Sequence, residues 1–564
     1  MNVTINETII GRHKAAIAAA LEEAAFAAKV QGKIAFTTLP AFVVEMPREA
    51  THGDFATNIA MTLAKEAKAN PRAIAETIIA CFDNASAGVA EIKPAGPGFI
   101  NFRMAEGWLA DVLAEIVAQG EDFGKSKVGK GQKIQIEFVS ANPTGELHMG
   151  NARGAAIGDT LASLLTMAGF TVEREFYIND AGNQIEKFGL SLEARYLQVL
   201  GRDVPFPEDG YHGEDITDTM RQLAEEEGDK YLALAPEKRR EILTAYALDK
   251  KLTDIRETLA AFGVVYDKWF SEQSLHDSGA INNIITKLQA QDWTYEEDGA
   301  LWLDCVRFGE EKDEVLIRAN GVPTYFAADI AYHDDKFRRG FDQVIDIWGA
   351  DHHGHVARMK GAMEAIGYNR DMLEIVLMQF VRLYQNGEIL KMSKRTGKYV
   401  TLEELIEEVG VDAARFFFVM RSPDSLIDFD LDLAKSNSAD NPVYYVQYAH
   451  ARICSILAMA AAEGYEISDQ ADFRALTDPS EQTLIRKMAD FPDEVIYGAL
   501  NREPHRITAY LQELAGDFHN FYAHCRVLGE DKKLSNARLL LIKGVAGIIK
   551  TALNAIGVNA PEKM

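Results

Sequence analysis

From Lys133 the chain alternates apolar and polar residues in "KIQIEFV", and the alternation stops at Asn142-Pro143-Thr144-Gly145. Period two predicts a strand. "GNARGAAIGDTLASLLTMAG" follows with helical spacing and ends at Gly169, a residue suited to the left-handed position after a helix. "TVEREFYIND" is strand-like again, and strand–helix–strand order implies a parallel pair. A long charged stretch, about residues 186–287, then interrupts with helical patterns such as "EKRREILTAYALDKKLTDIRETLAAFG". A second series resumes with a strand in "QVIDIWGAD", a helix in "GHVARMKGAMEAIG" and a strand in "LEIVLMQFVRL". The fold class expected is α/β: a Rossmann-like, doubly wound parallel sheet over about 130–425, with an insertion at about 186–287 between its halves. Ligands in such sheets bind beyond the carboxyl ends of the strands, near the point where strand order reverses.

The flanks differ from this middle. Residues 1–115 read as a small α+β unit, helical from about Glu7 to Val30 and again in "HGDFATNIAMTLAKEAKANPRAIAETIIACF". Turn-rich "KPAGPGFINFRM" breaks helix and predicts a strand after it. "GEDFGKSKVGKGQK" is polar and rich in Gly and Lys, and reads as a linker. From about residue 440 to 564 the pattern is all-helical, opening at Asn441-Pro442, where proline suits the first turn of a helix.

Composition changes this picture little. The 564 residues are 47% apolar and 26% charged, as in a soluble globular protein of several domains. No apolar run approaches the roughly 18 residues that span a bilayer. The N-terminus carries Glu7, Glu22 and Glu23, which argues against an export or transit signal. Cys81, Cys305, Cys454 and Cys525 show no paired spacing, so a cytoplasmic location without disulfides is expected. The net charge of −26 opposes nucleic-acid binding, yet it is uneven. From Asn441 onward there are 13 Lys and Arg against 15 Asp and Glu, so the last quarter is far less repulsive to a polyanion than the rest.

Three stretches carry candidate chemistry. At the junction "NPTGELHMGN", Gly145 and Gly150 let backbone approach a ligand, and His148 and Asn151 lie within one turn of a helix N-terminus that attracts anions. A tight turn around a satisfied histidine is the plain alternative. In "LYQNGEILKMSKRTGKYVT", Asn386-Gly387 predicts a tight hairpin, and "KMSKRTGK" gathers four cations around a glycine. Lys391 and Lys394 there suit a triphosphate whose charge moves onto pyrophosphate; a solvated basic loop is the alternative. In "WGADHHGHVARMK", Asp351, His352, His353 and His355 crowd one turn, as a metal site or the adenosine end of ATP would require.

"HMGN" resembles the HIGH signature, and "KMSKR" the KMSKS signature, of class I aminoacyl-tRNA synthetases. The wider context resembles the arginyl-tRNA synthetase family. "EFVSANPTGELHMGNARGAAIGD", "FGVVYDKWFSEQSL", "GVPTYFAADIAYH", "WGADHHGHVARMK", "NPVYYVQYAHARI", "HGDFATNIAM" and the closing "APEKM" carry the likeness in the family's order. Two positions depart: Asn151 stands where the family usually has a second histidine, and Arg395 replaces the last serine of KMSKS.

The resemblance implies that arginine and ATP form arginyl-adenylate, and that arginine then passes to the terminal adenosine of tRNA(Arg). It implies catalytic roles for His148, Asn151, Lys391 and Lys394. ATP would lie on Pro143, Thr144, Gly145, Gly150, Asp351, His352, His355, Met392 and Ser393, with Mg2+ carried on its phosphates and no metal bound by the protein itself. L-arginine would meet Glu137, Asn142, Tyr325 and Asp329, the last two on one helical face. Tyr444, Tyr448 and Arg452 would touch tRNA in a helical anticodon-binding domain, although core packing explains the tyrosines equally well. The N-terminal unit would meet the tRNA elbow. A monomer with no membrane association is expected. Other class I synthetases of the cysteinyl or glutamyl type fit less well, because the cysteine spacing offers no zinc site and Glu137 and Asp329 are acidic. A silent RNA-binding relative would have lost the two phosphate signatures.

Overall fold

The computed structural model describes residues 6–47, 50–390, 400–465, 467–468 and 470–564. At its centre lies a five-stranded parallel sheet. Its order is Leu373–Met378, Gln343–Gly349, Lys133–Glu137, Thr171–Ile178, Lys268–Ser271. The chain runs outward one way from Lys133–Glu137 and then restarts on its other side with Gln343–Gly349. The reversal between these two strands is the switch point where α/β sheets bind ligands.

The two faces of this sheet differ. Ile134, Ile136, Phe176, Ile178, Ile345 and Ile347 face one way and join a large apolar core with the helix Met149–Met167. That helix is small on its inner side. A Cβ at Gly158 would lie 2.2 Å from Phe138 Cγ, so only glycine permits this approach. The other face meets a second core beneath the helices Ala280–Ala290, Tyr325–Arg338 and Val356–Ala365. There the same strands point Glu137, Glu175 and Asp346 inward, all buried.

The stretch read as an insertion contains Lys268–Ser271, a strand of the sheet. Four residues are too few for alternation to stand out within charged sequence. The rest of that stretch is helical, and Asn183–Val199, Glu214–Glu227 and Pro236–Ala261 enclose their own core of Phe188, Leu192, Tyr196, Met220 and Leu243. The linker, too, is tied down. Ser126, Gly129 and Gly131 donate backbone N–H to Met167, Ala168 and Gly169 carbonyls at 2.8–2.9 Å, and Phe123 is buried. Gly169 (φ +88°) faces Ser126 O so closely that a side chain would collide.

A three-stranded antiparallel sheet, Thr294–Glu297, Ala300–Leu303 and Glu314–Ile317, lies where no strand was read. The single strand read in "LEIVLMQFVRL" is two, since Val381–Gln385 leaves for another sheet. There it forms a hairpin with Glu388–Ile389, turning through Asn386 (φ +52°) and Gly387 (φ +75°), the two left-handed residues such a turn needs.

The N-terminal unit pairs Val44–Glu45, Phe55–Thr57, Phe99–Met104 and Val89–Ala95 into an antiparallel sheet beneath Ile9–Val30, Ile59–Ala67 and Pro71–Ile79. The C-terminal region packs Pro442–Ala462, Pro479–Ala489, Phe491–Leu500, His505–His524 and Lys532–Ala555. Arg415, fully buried, binds it to the centre: it donates to Ile556 O at 2.8 Å, Phe262 O at 3.1 Å and Asp159 Oδ2 at 2.6 Å. No helix among the described residues is long and apolar enough to cross a membrane.

Candidate active site

Beyond Glu137 the backbone turns sharply. Val139 (φ +68°) and Ser140 (φ +41°) are both left-handed, a conformation costing about 1–3 kcal/mol each for such residues. The turn is held by Ser140, whose hydroxyl donates to Glu137 Oε1 (2.7 Å) and accepts from the Tyr177 N–H (3.1 Å). Asn142 follows, its side-chain oxygen accepting from Asn179 Nδ2 at 3.2 Å. Pro143 is buried, Thr144 and Gly145 are half-buried, and Gly145 borders a cavity of about 520 Å3 with Lys251 and Glu403.

His148 then caps the helix Met149–Met167. Its Nδ1 accepts from the Gly150 N–H at 3.1 Å, and its own N–H donates to Asn151 Oδ1 at 3.0 Å. An accepting Nδ1 puts the proton of the neutral ring on Nε2. Burial holds the imidazole below its ordinary value, so the ring is neutral at pH 7 and its Nε2–H is a donor. Gly150 makes this possible, because a Cβ there would lie 3.0 Å from the ring. Asn151 therefore spends its oxygen on the cap and retains its amide N–H groups.

On the opposite side of the switch point, Thr324 caps the helix Tyr325–Arg338. Tyr325 is exposed beside Gly182, where a Cβ would lie 3.8 Å from the phenol oxygen. Asp329 is partly open, and its Oδ2 lies 3.3 Å from His355 Nε2. His355 also packs on Phe326 and Trp348. It stands with Asp329, whereas Asp351 and His352 lie on the surface with side chains more than 60% exposed. Among the described residues no cluster of His, Cys, Asp or Glu is arranged to hold a metal ion.

The sequence reading missed Glu272, just beyond the strand Lys268–Ser271. It is 3% exposed and its carboxyl is pushed up to about 7, first by burial and then by Asp329 and Asp180, against a hydrogen bond from Tyr177. Asp180 accepts from Ser271 Oγ at 2.6 Å and the Gln273 N–H at 2.9 Å. None of Glu272, Asp329 and Asp180 pairs with a lysine or arginine among the described residues. Glu137 differs from them. Its Oε2 takes the Lys336 ammonium at 2.6 Å and its Oε1 the Ser140 hydroxyl, so it is already partnered. Burial raises its pKa, outweighing Lys336. Lys391, Met392, Ser393 and Lys394 lie outside the described residues.

In the C-terminal region Tyr444 and Tyr448 stack at 6.2 Å and 9°, and Tyr448 continues to His519 at 6.0 Å. Arg452 lies over Tyr448 (5.4 Å) and Tyr522 (4.5 Å). Tyr448 and Tyr522 are exposed and Tyr444 half-buried, so these rings do not fill the core.

Three family descriptions match in series. "Arginyl tRNA synthetase N terminal domain" covers 12–104, "tRNA synthetases class I (R), catalytic domain" covers 112–430, and "DALR anticodon binding domain" covers 446–564. The chain is 59% identical over 564 residues to an arginine–tRNA ligase of Heliobacterium modesticaldum, covering 99% of each. It is 57% identical over 558 residues to one of Moorella thermoacetica, covering 99% of this chain and all of that one. The Thermus thermophilus arginyl-tRNA synthetase structure shares the fold, with a TM-score of 0.75 at 23% identity over 97% of this chain and 100% of that one.

Proposed function

The chain belongs to the arginyl-tRNA synthetase family of class I aminoacyl-tRNA synthetases and ligates arginine to tRNA with ATP, and from that premise we propose how its residues divide the work. The arginine guanidinium is a planar cation with five donors. It lies against Asp329 and Glu272, with the Tyr325 hydroxyl beside it. Glu137 supplies negative charge from below, and Asn142 takes the α-ammonium. The observation that carries this reading is the set of carboxylates beyond the strand ends, Asp329, Glu272 and Asp180, without lysine or arginine partners among the described residues, one of them buried and raised to about 7.

ATP lies across the other half. Pro143, Thr144 and Gly145 line its approach, and Gly150 and the helix N-terminus meet its phosphates. His148 donates through Nε2–H, and Asn151 through its amide. Asp351, His352 and His355 lie toward the adenosine, His355 also steadying Asp329. Lys391 and Lys394, with Met392 and Ser393, receive the charge that moves onto pyrophosphate. Mg2+ enters on the triphosphate as part of the substrate. The arginine carboxylate attacks the α-phosphate, so no side chain need become covalently bonded. Placement and charge stabilisation do the chemistry.

The tRNA(Arg) 3′ end then takes arginine through the 2′-hydroxyl of its terminal adenosine. The stack of Tyr444, Tyr448 and His519, open to solvent at Tyr448 and flanked by Arg452, suits unpaired anticodon bases, which bind by stacking. The N-terminal unit reads the tRNA elbow by shape. We read the chain as a cytoplasmic monomer.

Arginine-dependent ATP–pyrophosphate exchange, run with and without tRNA(Arg), tests the slot. Asp329→Ala should raise the arginine KM at least 100-fold, about 2.7 kcal/mol. An arginine KM within twofold of the parent would overturn the assignment.

A further inference from the structure

Glu137 is the register partner of both Glu175 and Asp346 on its neighbouring strands, so three carboxylates stand in a row on one sheet face. Like charges opposite one another destabilise a sheet. The row is answered by one helix. Tyr332 donates to Glu175 at 2.6 Å, and His333 Nε2 lies 2.7 Å from Asp346. Arg339, just past the helix end, reaches Glu175 at 2.5 Å and Glu173 at 2.8 Å. Lys336, fully buried, lies 2.6 Å from Glu137 and 2.7 Å from Asp346. Its ammonium thus bridges the two strands that flank the switch point. Tyr325, Asp329 and Lys336 share one stripe of that helix, at offsets of four and eleven residues.

Resting on the reading of the arginine slot above, we propose that Lys336 is a positioning residue for substrate selection. By clamping Glu137 and Asp346 together it fixes the rotation and height of the helix that presents Tyr325 and Asp329, and so the depth of the slot. Apolar packing alone would tolerate sliding along the helix axis. A buried ammonium held between two carboxylates tolerates little, because displacement leaves charge unpaired.

The experiment compares kcat/KM for arginine and for homoarginine, which is one methylene longer, in ATP–pyrophosphate exchange with tRNA(Arg) present. The ratio between two substrates does not depend on how much enzyme is folded, so a purely structural role would leave it unmoved. Lys336→Met should lower the arginine preference at least tenfold. A folded Lys336→Met enzyme whose ratio stays within twofold of the parent overturns the proposal. Should that variant not fold, Asp346→Asn keeps the size and removes one charge of the clamp. It should lower the preference about threefold, and an unchanged ratio there overturns the proposal equally. Asp329→Ala separates the two readings. If it spares arginine use, the slot itself is wrong; if it impairs arginine use while Lys336→Met keeps the preference, only the clamp is wrong.

Discussion

The two faces of the central sheet deliver site residues by opposite physics. On one face, isoleucines meet a helix thinned by glycine, and close contact sets how near His148 comes to the strand ends. On the other, a row of buried acids meets Lys336, His333, Tyr332 and Arg339, and charge pairing sets the position of Tyr325 and Asp329. Close packing is unforgiving of volume and indifferent to pH. Charge pairing is the reverse, and its donors can be adjusted one bond at a time. The His148 side is accordingly built for fixed approach and the Asp329 side for fixed register.

The sharpest way to break this contrast is to add volume on the packed face. Gly158→Val would force side-chain carbons into Phe138, and overpacking of this kind costs about 1–3 kcal/mol or more. We expect the largest fall in thermal midpoint of the substitutions discussed here, together with loss of exchange activity. A midpoint within 1 °C of the parent, a tolerance well inside the roughly 2–4 °C that 1 kcal/mol produces in large domains, would show that the helix is not held by contact.

A second test uses pH. The Glu272 carboxyl is raised to about 7, above its unfolded value, so its stabilising contribution is full below about 4.5 and is lost as pH rises through 7. Arginine reverses the preference, because a cation favours the ionised form. The arginine KM should therefore fall as pH rises from 6 to 8, and Glu272→Gln should flatten that slope. A slope that persists in Glu272→Gln assigns it to another group.

The smallest effect should come from the edge of the charged row. Tyr332→Phe removes one hydrogen bond to Glu175, while Arg339 still pairs with that carboxylate and the ring stays beneath Lys336. Hydrogen bonds to charged groups contribute about 1.5–3 kcal/mol, and the low end is expected here. Chemical denaturation should register a midpoint shift without a change in slope.

The contrast also governs what could be read from the chain. The strand-to-helix junction was legible because it needs rare residues in order: "NPTGELHMGN" places proline, glycine, histidine and asparagine between strand and helix, and the helix after it is rich in glycine and alanine, as close approach to a sheet demands. The acid row was not. The charges of "AYHDDKFRR" suggest a solvated helix face, yet His333, Lys336 and Tyr332 are buried, because Glu137 and Glu175 come from strands far off in sequence and Asp346 from the strand that follows. Glu272 escaped for a related reason. It follows a strand of only four residues, and an acid after "KWFS" carries no local sign of burial. Glu137 and Asn142 were singled out through likeness to a family, and likeness gave no hint that Lys336 already holds Glu137. The linker was misread because glycine and lysine signal a solvated tether; here Gly129 and Gly131 bring backbone against the end of the signature helix.

The shared ammonium at Lys336 also bears on how this pocket can change over generations or in the laboratory. Refitting it for an uncharged amino acid by replacing Glu137 alone would take one of two carboxylates from a buried ammonium and leave Asp346 as its remaining anionic partner. Stepwise drift toward a new substrate is thereby discouraged, and successful redesigns should carry paired exchanges on strand and helix together.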